Sequence, residues 1–165
     1  MNVYATRRNP RKRVRPCSYR RDAQRGATAI EFALVFPIFF SIFYVIVTFS
    51  MIFVAQQSLT LATAEGARAA LNYQLASSVP GAVTLRATAA CNTATHMVAQ
   101  MIRSADCQTA PTNCSYDSSM TCIAVTLTYN YAASPLIPTL PGLGLLLPKN
   151  LSSTATVQLN PVNIL

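Results

Sequence analysis

The chain is uncharged from Phe32 to Ala64, and most of the positions from Phe32 to Ala55 are strongly apolar. As a helix, Phe32–Ala55 alone rises about 36 Å at about 1.5 Å per residue. That is enough to cross a bilayer core of about 30 Å. The run passes without a break into Gln56–Ala70, made mostly of good helix formers, in which Glu65 and Arg68 stand three apart and can pair. The pattern predicts one helix from about Ala27 to about Leu75, roughly 70 Å long, bent at Pro37 where the ring removes a backbone hydrogen bond. Ala62, Gly66 and Ala70 recur every four residues and form a stripe of small side chains that permits close helix approach. Ordinary packing and a dimer contact are both compatible with that stripe.

Beyond this helix the chain becomes rich in Thr, Ser and Ala, with no second stretch long enough to span a membrane. Pro80-Gly81 reads as a break. A second helix is expected from about Ala82 to Ser104, with Val83, Ala87, Ala90, Ala94, Met97, Val98, Met101 and Ile102 on one face. Strand alternation follows in Ile123, Val125, Leu127, Tyr129 and Tyr131, and again in Leu151, Ser153, Ala155, Val157 and Leu159. Between them Ser134–Lys149 is an apolar loop punctuated by Pro135, Pro138, Pro141, Pro148, Gly142 and Gly144. Its Leu143-Gly144-Leu145-Leu146-Leu147 run either meets a partner or membrane surface or folds back over the hairpin, and the second reading is preferred. The expected fold is α+β: a long N-terminal helix, then a small domain with a second helix and a β-hairpin. The organisation expected is a leader over 1–26, a membrane helix over 27–55, its extension over 56–79 and an exported domain over 80–165.

Charge sets the orientation. Arg7, Arg8, Arg11, Lys12, Arg13, Arg15, Arg20, Arg21 and Arg25 precede Gly26 against Asp22 alone, so the leader carries the whole net charge of +8. After Gly26, Arg68, Arg86, Arg103 and Lys149 balance Glu31, Glu65, Asp106 and Asp117. A basic flank stays on the cytoplasmic side, which exports everything after the span. Nucleic-acid binding by this arm is disfavoured: it is fused to a membrane span, offers only Tyr4 and Tyr19 for stacking, and attraction to anionic lipid heads accounts for its charges. A conventional secretory signal fits poorly, because the apolar run is too long and no small-x-small site closes it.

Cys91, Cys107, Cys114 and Cys122 fall on the exported side, an even number where disulfides persist. Two bridges would brace a domain too small for a large core. Cys17 lies in the leader. With Cys91 on the second helix and Cys107 just past its end, those two are expected to be too far apart for a bridge, which needs Cα atoms within about 7 Å. That leaves 91–122 with 107–114, the preferred nested pairing, or 91–114 with 107–122. A zinc site is disfavoured, since there is no C-x-x-C spacing and His96 is the single histidine. No phosphate-binding glycine loop, nucleophile elbow or paired-carboxylate motif marks an enzyme, a cofactor or a small-molecule substrate.

One carboxylate stands apart. Glu31 lies at the mouth of the apolar run, five residues beyond Gly26, where an ionisable group reads as functional by default. Gly26-Ala27 followed by Glu31-Phe32, behind a basic leader, resembles the processing site of type IV prepilins and pseudopilins. Arg25-Gly26-Ala27-Thr28-Ala29-Ile30-Glu31-Phe32-Ala33-Leu34 resembles the start of the TadE-like domain, and Ala64-Glu65-Gly66-Ala67-Arg68-Ala69-Ala70 resembles the segment that ends the long helix in TadE-like proteins, a likeness running from about Arg25 to Tyr73. That family comprises minor pseudopilins of the tight-adherence (Flp-type) pilus system. The leader is longer than many, and Phe32 stands where the major pilins of that system usually carry Tyr. The resemblance implies cleavage between Gly26 and Ala27 by a membrane aspartic peptidase, the prepilin peptidase. It also implies that Glu31 neutralises the terminal amine of a neighbouring subunit, that other pseudopilins are the partners, and that the protein resides in the inner membrane. An uncleaved, single-pass anchored periplasmic interaction protein is the alternative, and cleavage separates the two.

Overall fold

The computed structural model describes residues 22–140 and 142–160. Most of the expected leader, with Cys17, lies outside the described residues. Helix α1 (Asp22–Ala69) is followed by α2 (Val79–Val98) and strands β1 (Ala105–Asn113), β2 (Thr121–Asn130) and β3 (Asn150–Leu159). The fold is α+β. The chain divides into two compact units between Phe43 and Tyr44.

In the first unit, α1 begins at Asp22, ahead of the expected start at Ala27, and runs helically through Pro37. In sequence, Asp22 is the kind of acidic residue favoured at a helix start, and Ala23, Gln24 and Arg25 are good helix formers. Side chains from Thr28 to Phe43 are exposed. Phe32 stacks on Phe36 at 5.2 Å between ring centroids, and Phe36 on Phe40 at 6.0 Å. These pairs are four apart on one helix face. The Ser41 hydroxyl donates to the Pro37 carbonyl at 2.7 Å.

The second unit holds the core. From Tyr44 on, α1 buries a stripe of Thr48, Ile52, Ala55, Leu59, Ala62 and Gly66, continued by Ala70 just past its end. Steps of three and four residues keep a single helix face turned inward. Helix α1 ends at Ala69, short of the expected Leu75, in a tight turn closed by Leu71 N–H to Arg68 O and Asn72 N–H to Ala69 O. The expected ion pair forms there, with Arg68 Nη1 and Glu65 Oε1 2.6 Å apart. Both side chains are partly solvated, so it contributes little beyond helix-end electrostatics.

Helix α2 starts at Val79, three residues before the expected Ala82. Pro80 is tolerated because first-turn N–H groups have no intrahelical partner. The Ser78 side chain caps the end by accepting from Gly81 N–H at 3.3 Å. The helix stops at Val98, not Ser104. The next turn tightens, with Met101 N–H and Ile102 N–H both donating to Val98 O, and Ile102 is buried. Of the expected apolar face, Ala87, Ala90, Ala94, Val98 and Ile102 are buried, whereas Met97 and Met101 are exposed.

The sheet is an antiparallel meander in the order β1-β2-β3. The expected hairpin is β2 with β3, in the register Ile123↔Val157, Val125↔Ala155, Leu127↔Ser153 and Tyr129↔Leu151. Its inner face is the predicted alternation: Ile123, Val125, Leu127 and Tyr129 are buried with Leu151 and Leu159. Strand β1 was not expected. It pairs Ala105 with Tyr129 and Cys107 with Leu127, and it holds Pro111 on an edge, where a missing N–H breaks no ladder. In the β1–β2 turn, the Ser119 hydroxyl and N–H both donate to Asp117 Oδ1, which holds that carboxyl below its ordinary range.

The disulfides correct the expected pairing. Cys91 bonds Cys107 with Cα atoms 5.7 Å apart, and Cys114 bonds Cys122 at 5.0 Å. Neither the 91–122/107–114 nor the 91–114/107–122 arrangement forms. The error lay in the length of α2: because it ends at Val98, the chain reverses and β1 returns along the helix, bringing Cys107 beside Cys91. Peptide mapping without reduction is expected to recover Cys91 joined to Cys107 and Cys114 joined to Cys122. Breaking the first bridge by Cys91→Ser with Cys107→Ser is expected to lower unfolding stability by about 2–4 kcal/mol. Four alkylatable thiols in freshly isolated protein would contradict this.

Candidate assembly site at the head of the apolar helix

Gly26, Ala27, Glu31 and Phe32 all lie on α1 in the first unit. Gly26 sits within the helix, where glycine costs about 0.5–1 kcal/mol relative to alanine. A Cβ built on Gly26 would meet nothing within 4 Å among the described residues. Packing among the described residues therefore gives no reason for glycine there. Gly66 is the opposite case: a Cβ would fall 2.8 Å from the Ala90 carbonyl oxygen and 2.9 Å from Ala94 Cβ.

Glu31 is exposed, one turn beyond Ala27 along the helix, and among the described residues it makes no hydrogen bond or ion pair. Phe32 follows at 66% exposure, its ring stacked only on Phe36 of the same helix. Glu31 thus presents an exposed carboxylate beside a ladder of phenyl rings on α1. This segment can accept a cation and bury aromatic surface.

The small-residue stripe lies elsewhere, in the second unit. Ala62, Gly66 and Ala70 are buried, and Gly66 admits α2 at Ala90 and Ala94. At Gly66 the stripe meets the chain's own second helix. The four cysteines brace the same unit. His96 is exposed on α2, beside a shallow depression lined by Asn92, Thr95, Ala99 and Arg103. Among the described residues no three His, Cys, Asp or Glu side chains come together as a metal centre would require.

The pattern alone did not single out the polar ties that hold α1 to β3 and to the β2–β3 connection. Tyr44 Oη donates to the Pro138 carbonyl. Gln56 Nε2 donates to Ser152 O at 2.9 Å, and Thr63 Oγ1 lies 3.0 Å from Ser153 Oγ. The signal available for them was the scatter of Tyr, Thr and Gln in an otherwise apolar run.

Thr28–Ala69 is the one helix among the described residues long and apolar enough to cross a membrane. The family model described as TadE-like protein matches residues 26–68. This segment is TadE-like. The match opens on Gly26 and closes on Arg68 of the Glu65–Arg68 pair. No curated protein and no solved structure matches the chain. TadE-like proteins are structural, pilus-associated components, and the TadE-like segment contains Gly26, Ala27, Glu31, Phe32, Ala62 and Gly66. A single N-terminal apolar helix fits a component of the tight-adherence pilus system.

Proposed function

We propose that this protein is a minor pseudopilin of a tight-adherence pilus or a related secretion fibre, made as a precursor and matured by cleavage between Gly26 and Ala27. The observation that carries the reading is the TadE-like match opening on Gly26, with exposed Glu31 five residues on, at the head of an apolar helix. A membrane aspartic peptidase needs room at its subsite, and glycine supplies it. The basic leader stays cytoplasmic, α1 anchors the chain in the inner membrane, and the disulfide-braced domain faces the periplasm, where such bonds persist. The chain is the substrate of this chemistry and not its agent. Its partners are the prepilin peptidase and other pseudopilins, met through the head of α1; it takes no cofactor, nucleic acid or small-molecule substrate.

Deleting the chain from cells that build such fibres is expected to abolish surface fibres, and the wild-type chain to restore them. Undiminished fibres in the deletion would contradict the assignment. Protease added outside the inner membrane is expected to digest the domain beyond α1. Full protection would overturn the orientation.

A further inference from the structure

Among the described residues, β1 is the one strand of the sheet with no buried position. Ala105, Cys107 and Thr109 are half-buried, whereas Asp106, Gln108 and all of Ala110–Asn113 are exposed. The strand lies at an edge, with β2 on one side only. It supplies no large apolar side chain, and Asp106, Pro111 and Asn113 are poor strand formers. Strand β2 is the opposite case. Its Ile123, Val125, Leu127 and Tyr129 lie in the core, to which α1, α2 and β3 also contribute fully buried side chains and β1 contributes none.

What holds β1 is covalent at both ends. Cys107 bonds Cys91 of α2 across a sequence separation of 16, and Cys114, one residue past the strand, bonds Cys122 of β2 across a separation of 8. The longer loop regains more chain freedom when its bridge opens. Access differs as well. Cys91 and Cys107 are both half-buried, whereas Cys114 is 4% exposed. The shallow depression near His96 reaches Asn92, adjacent to Cys91, and Ala105, two residues before Cys107. Arg103 lines it too, a cation that attracts an approaching thiolate.

We infer that the Cys91–Cys107 bridge is a redox latch: its reduction by a dithiol frees the Ala105–Thr109 half of β1 and opens the sheet edge at Leu127 and Tyr129, while Cys114–Cys122 holds the far end. In the register of the sheet, Ala105 lies opposite Tyr129 and Cys107 opposite Leu127. A thiolate of the dithiol attacks one Sγ and the Sγ–Sγ bond breaks; the second thiol then resolves the mixed disulfide. The dithiol is oxidised to a disulfide, and its two electrons and two protons leave thiols on Cys91 and Cys107. The inner face of this half-strand then has only Ala105, a thiol and Thr109 to hold it. Once it lifts, a row of β2 backbone N–H and C=O groups faces solvent. The latch needs only the disulfides and is independent of the pilus reading.

Oxidised full-length protein in detergent, titrated with dithiothreitol, tests this. At each step free thiols would be alkylated and mapped, and amide hydrogen exchange read by mass spectrometry. Cys91 and Cys107 are expected to become alkylatable before Cys114 and Cys122. In that species, peptides covering Ala105–Thr109 are expected to exchange roughly tenfold or more faster, while those covering β3 keep their protection. Full-length Cys91→Ser with Cys107→Ser is expected to show the same local loss without reductant. The wild-type titration stands whether or not that variant folds. The latch is overturned if Cys114–Cys122 opens first or together with Cys91–Cys107. It is equally overturned if exchange over Ala105–Thr109 is unchanged once Cys91–Cys107 is open or in the folded variant, or if β3 loses protection at the same step.

Discussion

Glu31→Gln protein is expected to reach the membrane and lose its leader, yet fail to support fibre assembly. Insertion does not need the carboxylate, because the apolar run beyond it is long enough without it. On the proposed reading, cleavage lies five residues away and is set by the glycine. Assembly is different. The amine that such cleavage would free at Ala27 would be a charge entering a poorly hydrated environment, where a charge left alone costs about 3–5 kcal/mol once its partner is removed. Glu31 is exposed on a helix face flanked by Phe32 and Phe36, where a neighbour's N-terminus can reach it. Glutamine keeps the shape and loses the charge, so the variant isolates the electrostatic contribution. Crosslinking to pseudopilin partners is expected to collapse and surface fibres to disappear. Wild-type crosslinking with normal fibres would reduce Glu31 to an interfacial carboxylate with no assembly role.

Gly66→Leu is expected to damage the fold itself. Even the first carbon of a side chain would lie 2.8 Å from the Ala90 carbonyl oxygen, a backbone atom that cannot swing aside. The α1 and α2 helices must separate there, loosening the contact of Gly66 with Ala90 and Ala94. Overpacking typically costs about 1–3 kcal/mol and more when backbone must move, and whole domains are stable by only about 5–15 kcal/mol. A lower unfolding midpoint in urea and rapid proteolysis of detergent-solubilised protein are the expected readouts. Gly26→Ala provides the contrast, because nothing in the chain crowds that position among the described residues. It is expected not to lower the midpoint while blocking leader removal. A wild-type midpoint for Gly66→Leu would show that the helices do not meet there.

The features legible in the sequence were those with contrast. Alternation in Ile123–Tyr129 and Leu151–Leu159 marked both strands of the hairpin because polar residues separate the apolar ones. Glu31 was conspicuous as the lone charge at the mouth of an apolar run. Where contrast vanishes, so does the signal. The buried stripe Thr48-Ile52-Ala55-Leu59 is invisible in a run that is apolar on every side, so the point at which α1 leaves lipid and enters its own domain could not be read. Strand β1 carries Asp106, Pro111 and Asn113, poor strand formers that an edge position and a disulfide tolerate. The cysteine pairing failed for a single geometric reason: ending α2 at Val98 instead of Ser104 turns a separation along the chain into a contact across the fold.

The identity of the first residue in protein extracted from membranes of cells with an active prepilin peptidase tests the central claim most directly. N-terminal sequencing is predicted to return Ala27, with Thr28 and Ala29 following. A chain still beginning in the basic leader would contradict the processing on which the pseudopilin reading depends, and would leave an uncleaved anchored protein in its place.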